Sequence, residues 1–523
     1  MRKVAWLILV ASVLAAIAEV FGLHLPTMSW AYDLSHKVSW LQSEIGTAES
    51  LVKFVWFGYA MSVVGIAVAV LLLIKNPVGK EMLPSTKVRL NRFKSNTRGY
   101  VSFWIILAMI LLAGLDQVVV GKRALFVKTD AGMYFPAFSR AVYYGKNFGL
   151  TGDKSSAEAD YRLVKQQGDH TVLMPLVPFD PTQDTVKVPF VELEDKAGVL
   201  IGINGSAMNG SVSTLYDGDS ERRHMIYDYR KGVKQGLVVG RDRKGVPVYE
   251  ARYEKGALVD DSETYSGEEM SREEFLAAGD GKLCKVFFHA APPGNEHLLG
   301  TTPLGSDMVA YLYGGLQINI KAALIYIPMI YIIGVSLGLL MGFFGGAFDL
   351  IFQRIIEIFS TIPFLFVVII FSSLLDAKDR GLGLILVILI AFGWMGMTYL
   401  MRTAAMKEKA RDYVAAARVS GASTPRIIFT HILPNTVAIL VTLVPFSVSG
   451  IIMSLTALDY LGFGLPSEYA TWGTLLKDGL ANFSKPWLVA SSFTALVSTL
   501  VLVTFVGEAV RDAFDPKKFT TYK

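Results

Sequence analysis

Long apolar runs separated by polar intervals dominate the chain, and their length sets the first expectation. Runs of spanning length cover Val4–Phe21, Val52–Ile74, Val101–Val120, Ala322–Phe344, Ile362–Leu375, Leu382–Leu400, Thr436–Ala457 and Trp487–Phe505. A helix needs about 20 apolar residues to cross the hydrocarbon core, so the pattern predicts about eight transmembrane helices. Ile362–Leu375 is short for a span and is expected to extend backwards into Ile355–Ser360. The interval Gly121–Asn319 follows a different rhythm. Short β-type runs at Gly198–Gly205, Gln235–Gly240 and Val246–Tyr253 alternate with glycine-rich and charged turns, which predicts a β-rich insertion large enough to fold by itself.

Composition turns the pattern into a compartment. With 52% hydrophobic and 18% charged residues and a mean hydropathy of +0.43, the 523-residue chain is too apolar for a soluble protein of its size. The net charge of +5 sits beside the apolar runs, so it points to topology and not to nucleic acid as a partner. Lys75, Lys80, Lys87, Arg89, Arg92, Lys94 and Arg98 lie between the second and third runs with Glu81 as the one acid, and Arg402, Lys407, Lys409, Arg411, Arg418 and Arg426 follow the sixth. Basic loops face the cytoplasm, so both segments and both termini are expected inside, with Gly121–Asn319, Asp376–Gly381 and Asp459–Pro486 outside. The first run fits either a retained anchor, the reading favoured here, or a signal peptide cleaved near Ala15–Ala18. The single cysteine, Cys284, rules out an intrachain disulfide framework.

Between the sixth and seventh runs, Arg411–Asn435 carries Ala415, Ala416 and Ala417, then Gly421, then Leu433 and Pro434. Good helix formers over Asp412–Val419 stop at Ser420-Gly421, where glycine tolerates a left-handed cap, and Thr424-Pro425 starts a second helix. The result is a small-sided helical elbow at the membrane surface, suited to a groove on another protein. It resembles the EAA loop of ABC-importer membrane subunits, with Ala415 in place of the usual glutamate and His431 in place of an isoleucine. The resemblance implies that Ala415, Ala416, Ala417, Gly421, Leu433 and Pro434 couple the chain to an ATPase subunit.

Further stretches resemble the dipeptide and oligopeptide permeases of that family. His297–Gly315 is similar to their segment leading into the conserved spans, with Thr302 for an aspartate and Ser306 for an arginine, so a salt bridge there would be lost. Thr301 and Asp307 suggest a helix cap. Gly342–Phe366 looks like their glycine-rich turn, in which Asp349, Arg354 and Glu357 read as surface pairs at the cytoplasmic face. Ser454–Pro466 with Trp472–Gly479, and Phe505–Phe519, also match, and Asp459 reads either as pore-lining or as a helix-end pair. Arg92–Leu112 resembles the basic start and first conserved span of the peptide-importer subunits, and Val127–Phe138 looks like a stretch of the Yej-type (microcin C and oligopeptide) branch. Tyr229–Gly232 and Tyr253–Gly256 resemble a MORN-like hairpin repeat, with coincidence as the other reading. Gly334, Gly338 and Gly342 share one helical face and are expected to pack against another helix.

The resemblance implies an all-α polytopic membrane protein, a type I ABC importer transmembrane domain, carrying a large exported β-rich insertion. The expected organisation is two extra N-terminal spans over 1–80, a basic segment and first conserved span over 81–120, an extracytoplasmic β-rich domain over 121–318, and the permease domain over 319–515 with coupling helices at 403–433. Implied partners are ATP-binding cassette ATPase subunits, a second homologous permease, an extracytoplasmic solute-binding protein and membrane lipid, in the bacterial inner membrane; the implied cargo is peptides. No nucleotide-binding loop, metal-ligand set or nucleophile elbow is present, so no cofactor, metal or catalytic residue is expected. Two other readings remain: an ion-driven secondary transporter, which calls for intramembrane acids where the chain offers only Glu19, Asp116 and Asp459, all near span ends, and a membrane sensor whose exported domain binds a ligand.

Overall fold

In lipid a backbone must satisfy its own hydrogen bonds, and the apolar runs do so as helices. The computed structural model describes residues 2–20, 62–74 and 84–515, apart from 116, 131, 140–142, 151–154, 156–157, 182–189, 194, 197, 202–206, 218, 244–245, 268–269, 287–289, 295–296, 375–380 and 467–468. The helices are α1 (Arg2–Val20), α2 (Ser62–Ile74), α3 (Pro84–Ser95), α4 (Thr97–Gly114), α5 (Met308–Phe344), α6 (Gly346–Thr361), α7 (Phe364–Leu374), α8 (Leu382–Lys409), α9 (Asp412–Val419), α10 (Leu433–Leu461), α11 (Trp472–Ala481) and α12 (Pro486–Phe514). Five helical stretches among the described residues are long and apolar enough to cross a membrane. A sixth is reached if α6 and α7, which meet at 69°, are one broken span. The first two predicted runs are represented by shorter apolar helices, and Val52–Met61 of the second lies outside the described residues.

Contacts divide the chain into two units: Met1–Asp180, Leu312–Lys477 and Ser492–Lys523 in one, Pro181–Tyr311 and Asp478–Ser491 in the other. The helical unit has two apolar centres. In one, Ile318 and Ala322 of α5, Val368 of α7, Ile385 and Leu389 of α8 and Ile451 and Leu455 of α10 pack together. In the other, Leu339 and Phe343 of α5 meet Met397, Met401 and Ala405 of α8, and with them Val414, Ile427, Ile428 and Ile432. Between α5 and α8 the glycines let the backbones touch. A Cβ on Gly334 would lie 2.7 Å from Met397 Cβ, one on Gly338 2.6 Å from the Thr398 carbonyl, and one on Gly342 2.5 Å from the Arg402 carbonyl. Lipid supplies no hydrophobic drive between helices, so such contact is what holds them. The same device joins α1 to α2, where Gly65 sits against Ser12.

The last turn of α4 leaves carbonyls short of helical partners; the cap's Leu115 N–H reaches those of Leu111 and Leu112, and α5 adds donors to those of Leu112 and Ala113. Tyr313 Oη donates to the Leu112 carbonyl at 2.8 Å and Gln317 Nε2 to that of Ala113 at 3.0 Å. The same unit carries a small antiparallel sheet, β1 (Phe126–Thr129), β2 (Gly132–Tyr134) and β3 (Thr171–Leu173), in the order β2-β1-β3. Residues 121–180, placed with the insertion by the sequence pattern, thus make their contacts within the helical unit.

The second unit is built on an antiparallel sheet in which β4 (Phe190–Glu192), β5 (Gly210–Tyr216), β6 (Asp219–Arg230), β7 (Gly236–Arg241), β8 (Pro247–Glu254), β9 (Ala257–Leu258) and β10 (Cys284–Val286) run in the order β9-β8-β7-β6-β5-β10-β4. The two tyrosine–lysine–glycine stretches are hairpin turns. Lys231 and Lys255 adopt φ of +52° and +50°, each followed by a glycine at φ +77° or +90°, the sign that tight hairpin turns require. Lys234 lies over the rings of Tyr227 and Tyr253, at 4.5 Å and 5.7 Å.

Candidate coupling site

α9 grows out of α8 through Lys409 and Ala410, and its two turns are rooted by one side chain. Val414 is 1% exposed and sits among Met401, Ala405, Ile427 and Ile428. Everything opposite Val414 faces outward. Ala415 and Ala416 are exposed, Ala417 is half-buried against the same cluster, and Val419 at the tip is 90% exposed. Gly421, exposed at φ +78°, closes the helix as its left-handed cap, with the Ala422 N–H donating to the Ala417 carbonyl at 3.0 Å. Around the root, the Arg418 guanidinium and the Lys409 ammonium lie 5.8 Å and 5.7 Å from the Phe343 ring, and Tyr413 Oη donates to Glu408 at 2.6 Å.

The second half of the elbow departs from a plain second helix. Thr424–Arg426 makes one turn with Pro425 near its start, and Ile427–Ile432 then forms a π-helix that runs into α10. A proline ring clashes with the carbonyl four residues back. For Pro434 that carbonyl belongs to Thr430, inside the widened turn. Leu433 is half-buried on the cluster and Pro434 is exposed. Sequence reasoning passed over Val414, Val419 and the exposed Phe429, because a lone apolar residue in a short helix carries no periodic signal.

Asp349 departs from the surface-pair expectation. Arg354 and Glu357 do pair on an exposed side, but Asp349 is 6% exposed and accepts from Arg402 of α8 at 2.5 Å and 2.6 Å. Asp459 is 5% exposed and ties a loop: its carboxylate accepts the Leu465 N–H at 2.7 Å, and Gly464 and Gly473 give it room. That is the helix-end reading. Close to it, Trp472 Nε1 donates to the Leu312 carbonyl at 2.9 Å while its ring covers Gly315.

In the second unit, Asp307 caps α5 by accepting from Ala310 N at 2.8 Å, and its other oxygen lies 2.9 Å from His297 Nδ1. Thr301 instead accepts from Ala291 N. The two departures from the family pattern are partners of each other. Ser306 N donates to Thr302 Oγ1 at 3.1 Å and Thr302 N to the Ser306 carbonyl at 2.8 Å, with both residues 2% exposed. Among the described residues no group of acids, histidines or cysteines could hold a metal ion; Asp116, His24, His36 and His289 lie outside them.

A family model described as the binding-protein-dependent transport system inner membrane component matches residues 334–520, which include the glycine seam, the elbow and α10 to α12. The inner membrane ABC transporter permease protein YejE of Escherichia coli (strain K12) is 39% identical over 228 residues, 44% of this chain and 66% of that protein. The peptidoglycan transport system permease protein YejE of Agrobacterium fabrum is 38% identical over 225 residues, 43% of this chain and 58% of that protein. The match therefore spans less than two thirds of these two relatives' length. The dipeptide transport system permease protein DppC of Bacillus subtilis is 33% identical over 228 residues, with 70% of its length covered. Among solved structures, an inward-facing conformation of the MetNI methionine ABC transporter aligns over 40% of this chain and 98% of that one, at 18% identity and a TM-score of 0.34, too slight a likeness to bear on the fold. On the identity and coverage of the dipeptide permease and the family match across the elbow, the chain belongs to the binding-protein-dependent transport system inner membrane components.

Proposed function

We propose that the chain is the permease subunit of an ATP-driven importer of peptides or peptide-like compounds, with hydrolysis carried out on partner ATPase subunits. The carrying observation is the elbow: Val414 roots α9 in the inner cluster, while Ala415, Ala416 and Val419 stand out from it. A knob with small sides and one apolar tip fits a groove, and its root passes any push directly to α5, α8 and α10. Ala417, Gly421, Leu433 and Pro434 set its shape. A second homologous permease completes the pathway and a solute-binding protein delivers the cargo from the outer side. The names of the relatives, which speak of dipeptide, oligopeptide and peptidoglycan transport, support peptide-like cargo.

In this reading α1 and α2 are two added spans, making about eight with the bent pair counted as one. The β-rich segment over 121–318 lies outside and the elbow inside. The test is reconstitution of the chain with the ATPase and permease subunits that co-purify with it, followed by uptake of labelled oligopeptide. Uptake that depends on ATP and is abolished by Gly421→Trp supports the proposal. Uptake driven by an ion gradient without ATP, or an elbow labelled at Ser423 from the outer side, refutes it.

A further inference from the structure

α6 has a joint at each end, one ion pair to α8 in its first turn, and a ring contact to α8 in its last, Phe359 on Phe392. At its start Gly345 (φ +66°, ψ −157°) and Gly346 (φ +57°) turn the chain out of α5 in conformations that residues with side chains rarely adopt. No atom lies within 4 Å of where either Cβ would be, so the glycines are there for backbone freedom and not for close packing. At its end Ile362 is extended ahead of Pro363, and α7 leaves at 69°. Such element-terminal residues are where hinges form.

The first turn is fixed differently. Arg402 Nε and Nη2 donate to Asp349 Oδ1 and Oδ2 at 2.5 Å and 2.6 Å, a fork that sets both distance and angle. The side chains are 9% and 22% exposed, so water competes little for the pair. Asp349 also sits in the first turn of α6, where the helix dipole favours an anion. Arg402 belongs to the inner half of α8, which the glycine seam locks to α5 and which continues through Lys409 into the elbow. α5, α8 and the elbow therefore form one stiff piece. The first turn of α6 is joined to that piece by a flexible joint and this fork, its last turns rest on α8 through Phe359 against Phe392 at 5.9 Å, and the other ion pair on α6, Arg354 to Glu357, stays within the helix.

We propose that Asp349 and Arg402 form the tie that carries displacement of the elbow into α6 and its bent continuation α7, making both of them positioning residues for transport. With the fork closed, α6 must follow α8. With it open, the glycine joint lets the first turns of α6 stay behind while its last turns remain on α8. Because Val368 of α7 packs with Ile385 and Leu389 of α8, a swing of the bent pair is delivered to the other apolar centre.

The inference rests on the permease reading, and the experiment separates the two. The complete transporter is reconstituted in proteoliposomes, and ATP hydrolysis and oligopeptide uptake are measured side by side. D349N and R402Q are expected to lower uptake by about tenfold while hydrolysis continues, and the charge-reversed pair D349R/R402D to recover most of that loss. R402K keeps charge and bulk but not the fork, so it assembles and transports below wild type. Absence of ATP-dependent uptake in the wild type sinks the permease reading itself. Wild-type uptake in R402K, or an assembled D349R/R402D that transports no better than the single variants, overturns the tie alone.

Discussion

Adding one methyl group at Gly338 tests the packing of the helical unit most directly. The new Cβ would sit 2.6 Å from Met401 Cβ and 2.6 Å from the Thr398 carbonyl oxygen, with Arg402 N at 3.0 Å. Non-bonded carbon contacts settle at about 3.5–4.0 Å, so α5 and α8 have to part by about 1 Å over at least a turn. Overpacking of this kind costs about 1–3 kcal/mol. Against it stands the gain of up to about 1 kcal/mol that alanine has over glycine inside a helix. The net expectation for Gly338→Ala is a loss centred on about 1 kcal/mol. The internal control has the opposite sign. Gly396 in α8 and Gly450 in α10 have no atom within 4 Å of where an added methyl group would sit, so Gly396→Ala keeps the propensity gain without the clash. The assay is thermal unfolding of the isolated chain in detergent, followed by tryptophan fluorescence. A Gly338→Ala midpoint at or above wild type, or equal losses at Gly338 and Gly396, would refute the claim that close backbone approach holds α5 to α8.

Val419→Asp changes a residue that is 90% exposed, so stability should move by no more than about 0.5 kcal/mol while ATP-driven uptake falls by about tenfold; unchanged uptake would remove the tip from the coupling contact. Asp459→Ala leaves the buried Leu465 N–H without its acceptor, at a cost of about 1–3 kcal/mol, and should speed proteolysis between Gly462 and Thr471; unaltered cleavage argues against the tether. His224 is packed between Tyr216 and Phe275 with its Nε2 2.7 Å from the Phe275 carbonyl. Burial pushes its pKa below the ordinary 6.5, more than the Phe275 carbonyl and Asp280 raise it. The unfolded ring then takes up a proton that the folded ring refuses, so the stability it contributes is present above pH 6.5 and is lost as pH falls through the folded value. Protease resistance of Pro181–Tyr311 in the full chain should drop on acidification, and His224→Gln should flatten that drop.

Much of the elbow's shape was legible because it is local. Asp412–Val419 follows from helix formers ended by Gly421, and the family resemblance adds the expectation of an ATPase partner. The π-turn was not legible, since it answers a clash between Pro434 and a carbonyl that exists only once the turn has formed. Asp349 was misread for a related reason. Arg354 and Glu357 lie three residues apart and their pairing follows from helix geometry, whereas Arg402 lies 53 positions from Asp349 and no local rule points to it.

By itself the sequence determined where the chain is apolar enough to enter a bilayer, where glycine and proline interrupt its helices, and which stretch carries the elbow. These depend on hydropathy and on backbone conformations that each residue can adopt alone. Only the tertiary structure decided which helix lies against the glycine face, which cation meets Asp349, and that Thr302 and Ser306 answer each other across one turn. Those outcomes are set by contacts between surfaces, and a surface exists only after the helices that carry it have packed.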